Sequence, residues 1–251
     1  MTQPQSEAFS LVFDDLPRQG PGSDPCTRAL LRRIRPWLPE KIDAADMGCG
    51  NGRSAMVIAE VCGGPVTAVD LHQPYLTALM AQAERRGLSD RLIARNTDML
   101  DSGLKKQSLD LLWSEGAAFA VGFEQALSVW YHLLKPGALL VVSECSWLTA
   151  NPARPVAAFW NDAYPEMQTV GGNVSLAEGL GYGFIHAEVL PGEAWEDEYY
   201  RPLEQRIATL AERAADIPHL KAVMAGVKAE IAMFRQHHDH YGYVFYVLRR
   251  M

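Results

Sequence analysis

The sequence predicts a doubly wound α/β domain, a mostly parallel sheet with helices on both faces, and three observations lead to it. From residue 42 short apolar runs alternate with longer amphipathic ones, the pattern of repeated strand–helix units around a parallel sheet. A glycine-rich turn, DMGCGNG at residues 46–52, separates the first apolar run from a helix-like stretch. Near the end, GYGFIHAEVL and YGYVFYVLRR both read as strands, a plausible antiparallel hairpin beside the parallel set were it not for the long charged segment between them.

Taken in order, residues 1–23 are rich in Pro, Gly, Gln and Ser and read as a lead-in. Ser23 or Asp24 can cap a helix that has Pro25 in its first turn, and the apolar positions of TRALLRRI follow. IDAADM is the first strand, and the segment from Arg53 to Val61 its helix. PVTAVD is the second strand, followed by the helix PYLTALMAQAERRG, closed by Gly87. RLIARN is the third. SLDLLW is the fourth, with the helix FEQALSVWYHLL ending at KPG, and ALLVVSE is the fifth. The segment from Trp195 to His240 is helix-like and charged, and reads as a lid rather than a second domain, being small for an independent core. The chain is therefore divided into a lead-in and helix (1–40), a cofactor-binding core (41–192), a helical insert (193–240) and a final strand (241–251), all of one domain.

Composition narrows the partners. A formal charge of -7 offers no sequence-wide basic field for a phosphate backbone, so no nucleic-acid partner is expected. Cys26, Cys49, Cys62 and Cys145 are scattered without a C-x-x-C pair or a histidine at zinc spacing, which points to reduced, packed thiols and no metal. The first residues, MTQPQSEAFSLVFDD, are polar and acidic where a signal peptide is basic and then apolar, and no apolar run approaches the roughly 20 residues of a membrane span. A cytoplasmic protein without a membrane partner is expected.

Three ligands compete for the glycine turn. A P-loop needs a Lys after its glycines, and none is present. A dinucleotide fingerprint needs a glycine at its sixth position, where counting from Gly48 places Arg53. The third pattern is an acidic residue followed by alternate glycines, here Asp46, Gly48, Gly50 and Gly52. It suits a ligand whose amino-acid end carries an ammonium and which has no pyrophosphate. A tight strand–helix turn that merely needs glycine is the bland alternative.

This loop resembles the first motif of the class I S-adenosylmethionine-dependent methyltransferases. The resemblance covers most of residues 20–190 in element order and implies a seven-stranded Rossmann-like sheet whose last strand is antiparallel. It implies S-adenosyl-L-methionine as cofactor and S-adenosyl-L-homocysteine as product. Asp70, ending the second strand beside Leu71, is placed to accept both ribose hydroxyls of an adenosine, although it could also cap the next helix. The resemblance assigns Asp98, in NTDML, to the adenine amino group and Met99 to the ring. The stretches WSEGAAFAVGFEQALSVWYHLLKPGALLVVSE and FWNDAYPEM look like a group of bacterial methyltransferases whose acceptor is unassigned.

Ligands of parallel sheets collect beyond the carboxyl ends of the strands. Glu115, after the fourth strand, is the first choice for a polar group facing the transferred methyl, against the alternative of a paired loop glutamate. Glu144 and Trp147, after the fifth, and Trp160 and Tyr164, in FWNDAYPEM, are candidates for the acceptor pocket. WSEG stands where enzymes acting on amides or adenine amines carry [DNS]-P-P-[YF], which argues against those acceptors, and Cys145 lacks the second cysteine of a cytosine-C5 enzyme. QHHDH at 236–240 reads as a polar boundary, since consecutive residues cannot all face one metal on a helix. WEDEYYRP at 195–202 reads as an exposed helix start or as a wall for a cationic acceptor. The expected function is methyl transfer to a small molecule, with a cofactor-binding regulatory module and a nicotinamide oxidoreductase as rivals.

Overall fold

The computed structural model describes residues 3–251, with side chains from residue 5 onward. The segment expected to be only a lead-in begins with a helix, α1 (Gln3–Phe13), and continues as an irregular strap to α2 (Asp24–Ile34). Ser23 is the cap of α2, its Oγ accepting from the Cys26 amide at 3.2 Å, with Pro25 in the first turn. The core then runs β1 (Ala44–Met47), α3 (Arg53–Cys62), β2 (Val66–Asp70), α4 (Gln73–Arg86), β3 (Leu92–Asn96), β4 (Leu109–Glu115), α5 (Phe123–Tyr131) and β5 (Leu134–Trp147). After β5 come α6 (Arg154–Ala163), α7 (Val170–Gly179) and β6 (Tyr182–Val189). The insert holds α8 (Gly192–Trp195), a wider helical turn over Glu196–Tyr200, α9 (Arg201–Leu210) and α10 (Leu220–His237), and β7 (Tyr241–Arg250) closes the chain.

The strands form one seven-stranded sheet in the order β3-β2-β1-β4-β5-β7-β6. β1 pairs in parallel with β2 and β4, and β4 with β5. β7 is antiparallel to both β5 and β6, between which it is inserted. Alternation explains the two cores: successive residues on a strand face opposite sides. Leu111, Trp113 and Val141 pack under α2, α3 and the insert, while Leu112, Leu140 and Val142 pack under α5 and α7. Strands covered on both faces read as continuous apolar runs, which is why they were legible.

The insert is tied to the N-terminus. α1 packs against α9 and α10, and Arg206 donates to the Leu11 carbonyl at 2.7 Å. WEDEYYRP is not an exposed helix start: Tyr199 and Tyr200 are buried, Glu196 pairs with Arg235 at 2.7 Å, and Glu198 reaches Arg18. His237 is the last residue of α10, and His238, Asp239 and His240 form the turn before β7.

Candidate donor site

The glycine turn is the end of β1 turning into α3, and its three glycines all take positive φ: 68° at Gly48, 53° at Gly50 and 78° at Gly52. Each also lacks room for a Cβ, for a different reason. A methyl on Gly48 would lie 2.3 Å from the Ala117 Cβ, and one on Gly52 2.2 Å from the Leu79 Cδ1. One on Gly50 would lie 2.7 Å from the Gln19 Oε1. Gly52 therefore serves helix packing, while Gly48 and Gly50 line a pocket.

That pocket, about 120 Å³, is bounded by the turn, by Tyr75 and Glu115, and by Arg18, Gln19, Gly20 and Pro21 of the strap. A second pocket of about 250 Å³ adjoins it, sharing Gly48, Asp70 and Gly116. Its walls are Leu71, Asp98, Met99 and the segment Ala117–Val121, an apolar slot with a carboxylate at one end. Leu71 is 68% exposed, an apolar side chain held in the open at the mouth of this slot.

Asp70 stands where the two pockets meet. Its Oδ2 accepts from the Gly50 amide and its Oδ1 from the His72 amide, both at 2.8 Å. Each carboxylate oxygen retains a second lone pair, enough for a pair of vicinal hydroxyls. The cap of α4 is His72 rather than Asp70, so Asp70 is not used as the helix cap. Asp98 accepts the Leu100 amide through Oδ1 at 2.8 Å, which orients its other oxygen independently. The Met99 carbonyl accepts from the Trp130 indole N–H at 3.0 Å, and Met99 lines the slot.

Asp46 is fully buried and lies beneath the turn rather than on the pocket wall. It accepts from the Ser54 hydroxyl at 2.6 Å, and burial pushes its carboxyl up to about 7. It supports the turn from below.

Glu115 lies on the pocket wall but is fully engaged. Its Oε1 accepts from the Thr27 hydroxyl at 2.6 Å and the Trp113 indole at 2.8 Å, and its Oε2 from Arg18 at 3.1 Å. The structure thus gives it the paired role. Arg18 also meets Asp24 at 2.9 Å and Glu198 at 3.0 Å, and Arg53 meets Asp24 at 2.8 Å. Asn51 pins the strap, donating to the carbonyls of Leu16 and Pro17 at 3.1 and 2.8 Å, while its amide donates to Gln19. Arg18, Gln19 and Thr27 carry no motif spacing, and the sequence reading did not find them.

The acceptor candidates lie apart from the turn. Glu144 is 1% exposed on β5, and Tyr164 and Trp160 approach from the end of α6. Burial pushes the Glu144 carboxyl up to about 8, opposed by the nearby Tyr164 hydroxyl. The rings of Trp160 and Tyr241 meet edge-on at 4.9 Å. Trp147 is half-buried at the end of β5, paired with Thr169. The structure brings Glu144 and Tyr164 together but does not bring Glu144 to the wall of either donor pocket.

Residues 44–137 match the family model described as a methyltransferase domain. The chain is 26% identical over 155 residues to sterol 24-C-methyltransferase of Pneumocystis carinii, covering 58% of this chain and 41% of that protein. It is 34% identical over 86 residues to ribosomal protein L11 methyltransferase of Dechloromonas aromatica, 34% of this chain and 29% of that one. The chain thus spans less than half the length of these curated relatives. Its fold is shared with a S-adenosylmethionine-dependent methyltransferase of Geobacter sulfurreducens, crystallised with S-adenosyl-L-homocysteine, at a TM-score of 0.82 and 18% identity over 98% of both chains. Over residues 44–137 the chain is thus similar to a methyltransferase domain, and its fold is that of S-adenosylmethionine-dependent methyltransferases of known structure.

Proposed function

We propose that this protein transfers a methyl group from S-adenosylmethionine to a small-molecule acceptor. The observation that carries the reading is the pair of adjoining pockets meeting at Gly48, Asp70 and Gly116, one polar and one apolar. In this reading Asp70 accepts the ribose hydroxyls, Asp98 the adenine amino group, and Leu71 and Met99 sandwich the ring. Gly48 and Gly50 let the amino-acid end lie against the backbone, with Asp46 supporting the turn from below. Glu115 keeps negative charge beside the sulfonium through its fixed partners, and Glu144, Trp147, Trp160 and Tyr164 belong to the acceptor side.

Methyl transfer is an in-line displacement in which the positive charge on sulfur disappears as the new bond forms. Much of the barrier falls when acceptor and methyl are held close, aligned and dry. The strap and insert, packed on one another through α1, α9 and α10, supply that exclusion of water. We read residues 193–240 as the lid of a single domain.

A small acceptor is in keeping with the sterol named for one relative, and the acidic charge of -7 speaks against nucleic acid. Among the described residues no helix is long and apolar enough to cross a membrane. We also propose a cytoplasmic location, in keeping with four free cysteines. A nicotinamide dinucleotide is disfavoured because Arg53 stands where its fingerprint needs the third glycine.

Calorimetric titration with S-adenosyl-L-homocysteine, with NAD in parallel, tests the reading. Micromolar binding of the first and none of the second is expected; the reverse pattern would replace the methyltransferase by the oxidoreductase. Binding without turnover of any acceptor would favour the regulatory module.

A further inference from the structure

The glycine turn opens on the polar pocket, yet each of its backbone amides already has a partner. Those of Gly48 and Cys49 donate to the Val69 carbonyl at 2.9 and 3.0 Å, and that of Gly52 to the Cys49 carbonyl at 2.9 Å. The Gly50 amide donates to Asp70 at 2.8 Å and the Asn51 amide to the Gln19 side chain at 3.0 Å. The cations of the wall are compensated as well, since Arg18 and Arg53 meet the carboxylates of Asp24, Glu115 and Glu198. Ser54 donates to Asp46, and the Tyr75 hydroxyl interacts with Asp14. An amino-acid zwitterion entering here finds neither a spare amide of the turn nor an uncompensated guanidinium.

Gln19 differs from these groups. It is half-buried and lines the pocket, and its Oε1 stands 2.7 Å from the place that a Cβ on Gly50 would take. The carboxamide therefore lies directly over the turn. Its orientation is fixed, because a backbone N–H can only donate and the atom facing the Asn51 amide must be the oxygen. Its Nε2 donates to the Leu16 carbonyl at 3.3 Å. A carboxamide has two acceptor lone pairs and two N–H donors, so Gln19 keeps one of each. The Asn51 side chain holds the strap in place beneath it through the carbonyls of Leu16 and Pro17.

Resting on the methyltransferase reading, we propose that Gln19 recognises the amino-acid end of the donor. Its remaining lone pair accepts from the α-ammonium, and its remaining N–H donates to the α-carboxylate. A neutral group that both donates and accepts matches a zwitterion and adds no charge to a wall whose cations are already paired. The division of labour follows from the two pockets. Asp70 and the apolar slot serve the nucleoside, which 5′-methylthioadenosine shares with S-adenosyl-L-homocysteine, whereas Gln19 serves only the amino-acid end that 5′-methylthioadenosine lacks.

The test is calorimetry of both ligands against the full chain, as wild type, Gln19→Ala and Gln19→Glu. The wild type is expected to bind S-adenosyl-L-homocysteine more tightly than 5′-methylthioadenosine. Gln19→Ala should bind the first about tenfold or more weakly, the loss expected for hydrogen bonds to charged groups, and the second unchanged. Unchanged binding of the second also shows that the variant is folded. Gln19→Glu separates recognition from mere tethering of the strap: its carboxylate still accepts from the Asn51 amide but has no N–H for the ligand's carboxylate, so it too should lose affinity for S-adenosyl-L-homocysteine alone. Wild-type affinity for S-adenosyl-L-homocysteine in either variant, an equal fall for both ligands, or equal affinity of the wild type for the two overturns the proposal. Binding of neither ligand by the wild type instead strikes the methyltransferase reading, and the role of Gln19 falls with it.

Discussion

The Arg18 guanidinium lies 3.1 Å from the Glu115 carboxylate, joining the N-terminal strap to the end of β4 across the mouth of the glycine turn. Both side chains are 7% exposed, and Arg18 meets Asp24 and Glu198 as well. Removing one partner of a buried pair costs about 3–5 kcal/mol, because the other charges remain buried. Arg18→Met is expected to lower unfolding stability by that order in urea titration, and Glu115→Gln by less, since Gln keeps the bonds from Thr27 and Trp113.

Asp70→Asn tests the donor site. The variant keeps one oxygen for the turn but loses the charge that two ribose hydroxyls would share. Hydrogen bonds to charged groups contribute about 1.5–3 kcal/mol, so affinity for S-adenosyl-L-homocysteine should fall by roughly ten- to a hundredfold. Unchanged affinity in the folded variant would remove Asp70 from the site.

The glycines of the turn separate packing from binding. Gly52→Ala drives a methyl against Leu79 at a positive φ, and overpacking of this kind costs about 1–3 kcal/mol, read as a lowered melting temperature. Gly50→Ala meets the end of the flexible Gln19 side chain instead. Its stability should change less than that of Gly52→Ala, while donor affinity falls because the strap must shift. Equal losses of stability would contradict the distinction.

Stability should decline as pH rises from about 4 to about 8, the range between ordinary carboxyl values and those of two buried groups. Burial holds Asp46 up to about 7 and Glu144 up to about 8. In this window the folded protein binds more protons than the unfolded chain, so each group's contribution is fully present below its unfolded value and lost as pH rises through its folded one. Glu144→Gln, which cannot ionise, should be more stable relative to wild type at about pH 8.5 than at about pH 5 in paired urea titrations. A pH-independent difference would mean that Glu144 titrates normally.

Most of the fold was legible because its information is local or periodic. Apolar runs of strand length, Pro25 and Ser23 at a helix start, and Gly87 at a helix end each announce themselves within a few residues. The turn from Gly48 to Gly52 was legible for the same reason, and so was Asp70 at the end of β2. The helix α1 was not, because the Pro, Gln and Ser at its start read as a lead-in and its apolar end is held by α9 and α10, which follow far later in the chain.

What the tertiary structure alone decided is which carboxylates are free. Asp46, Glu115 and Glu144 look alike in sequence, each at or near the end of a strand. Folding buries Asp46 under the turn against Ser54, saturates Glu115 with Arg18, Thr27 and Trp113, and buries Glu144 beside Tyr164 with no cation near it. The partners that make the difference lie 97 residues from Glu115 in the case of Arg18, and Glu198 is 180 residues from Arg18. Single ion pairs over such separations leave no repeat or spacing in a chain. Backbone geometry and apolar period are written locally, but the state of a buried charge depends on what the whole fold sets against it.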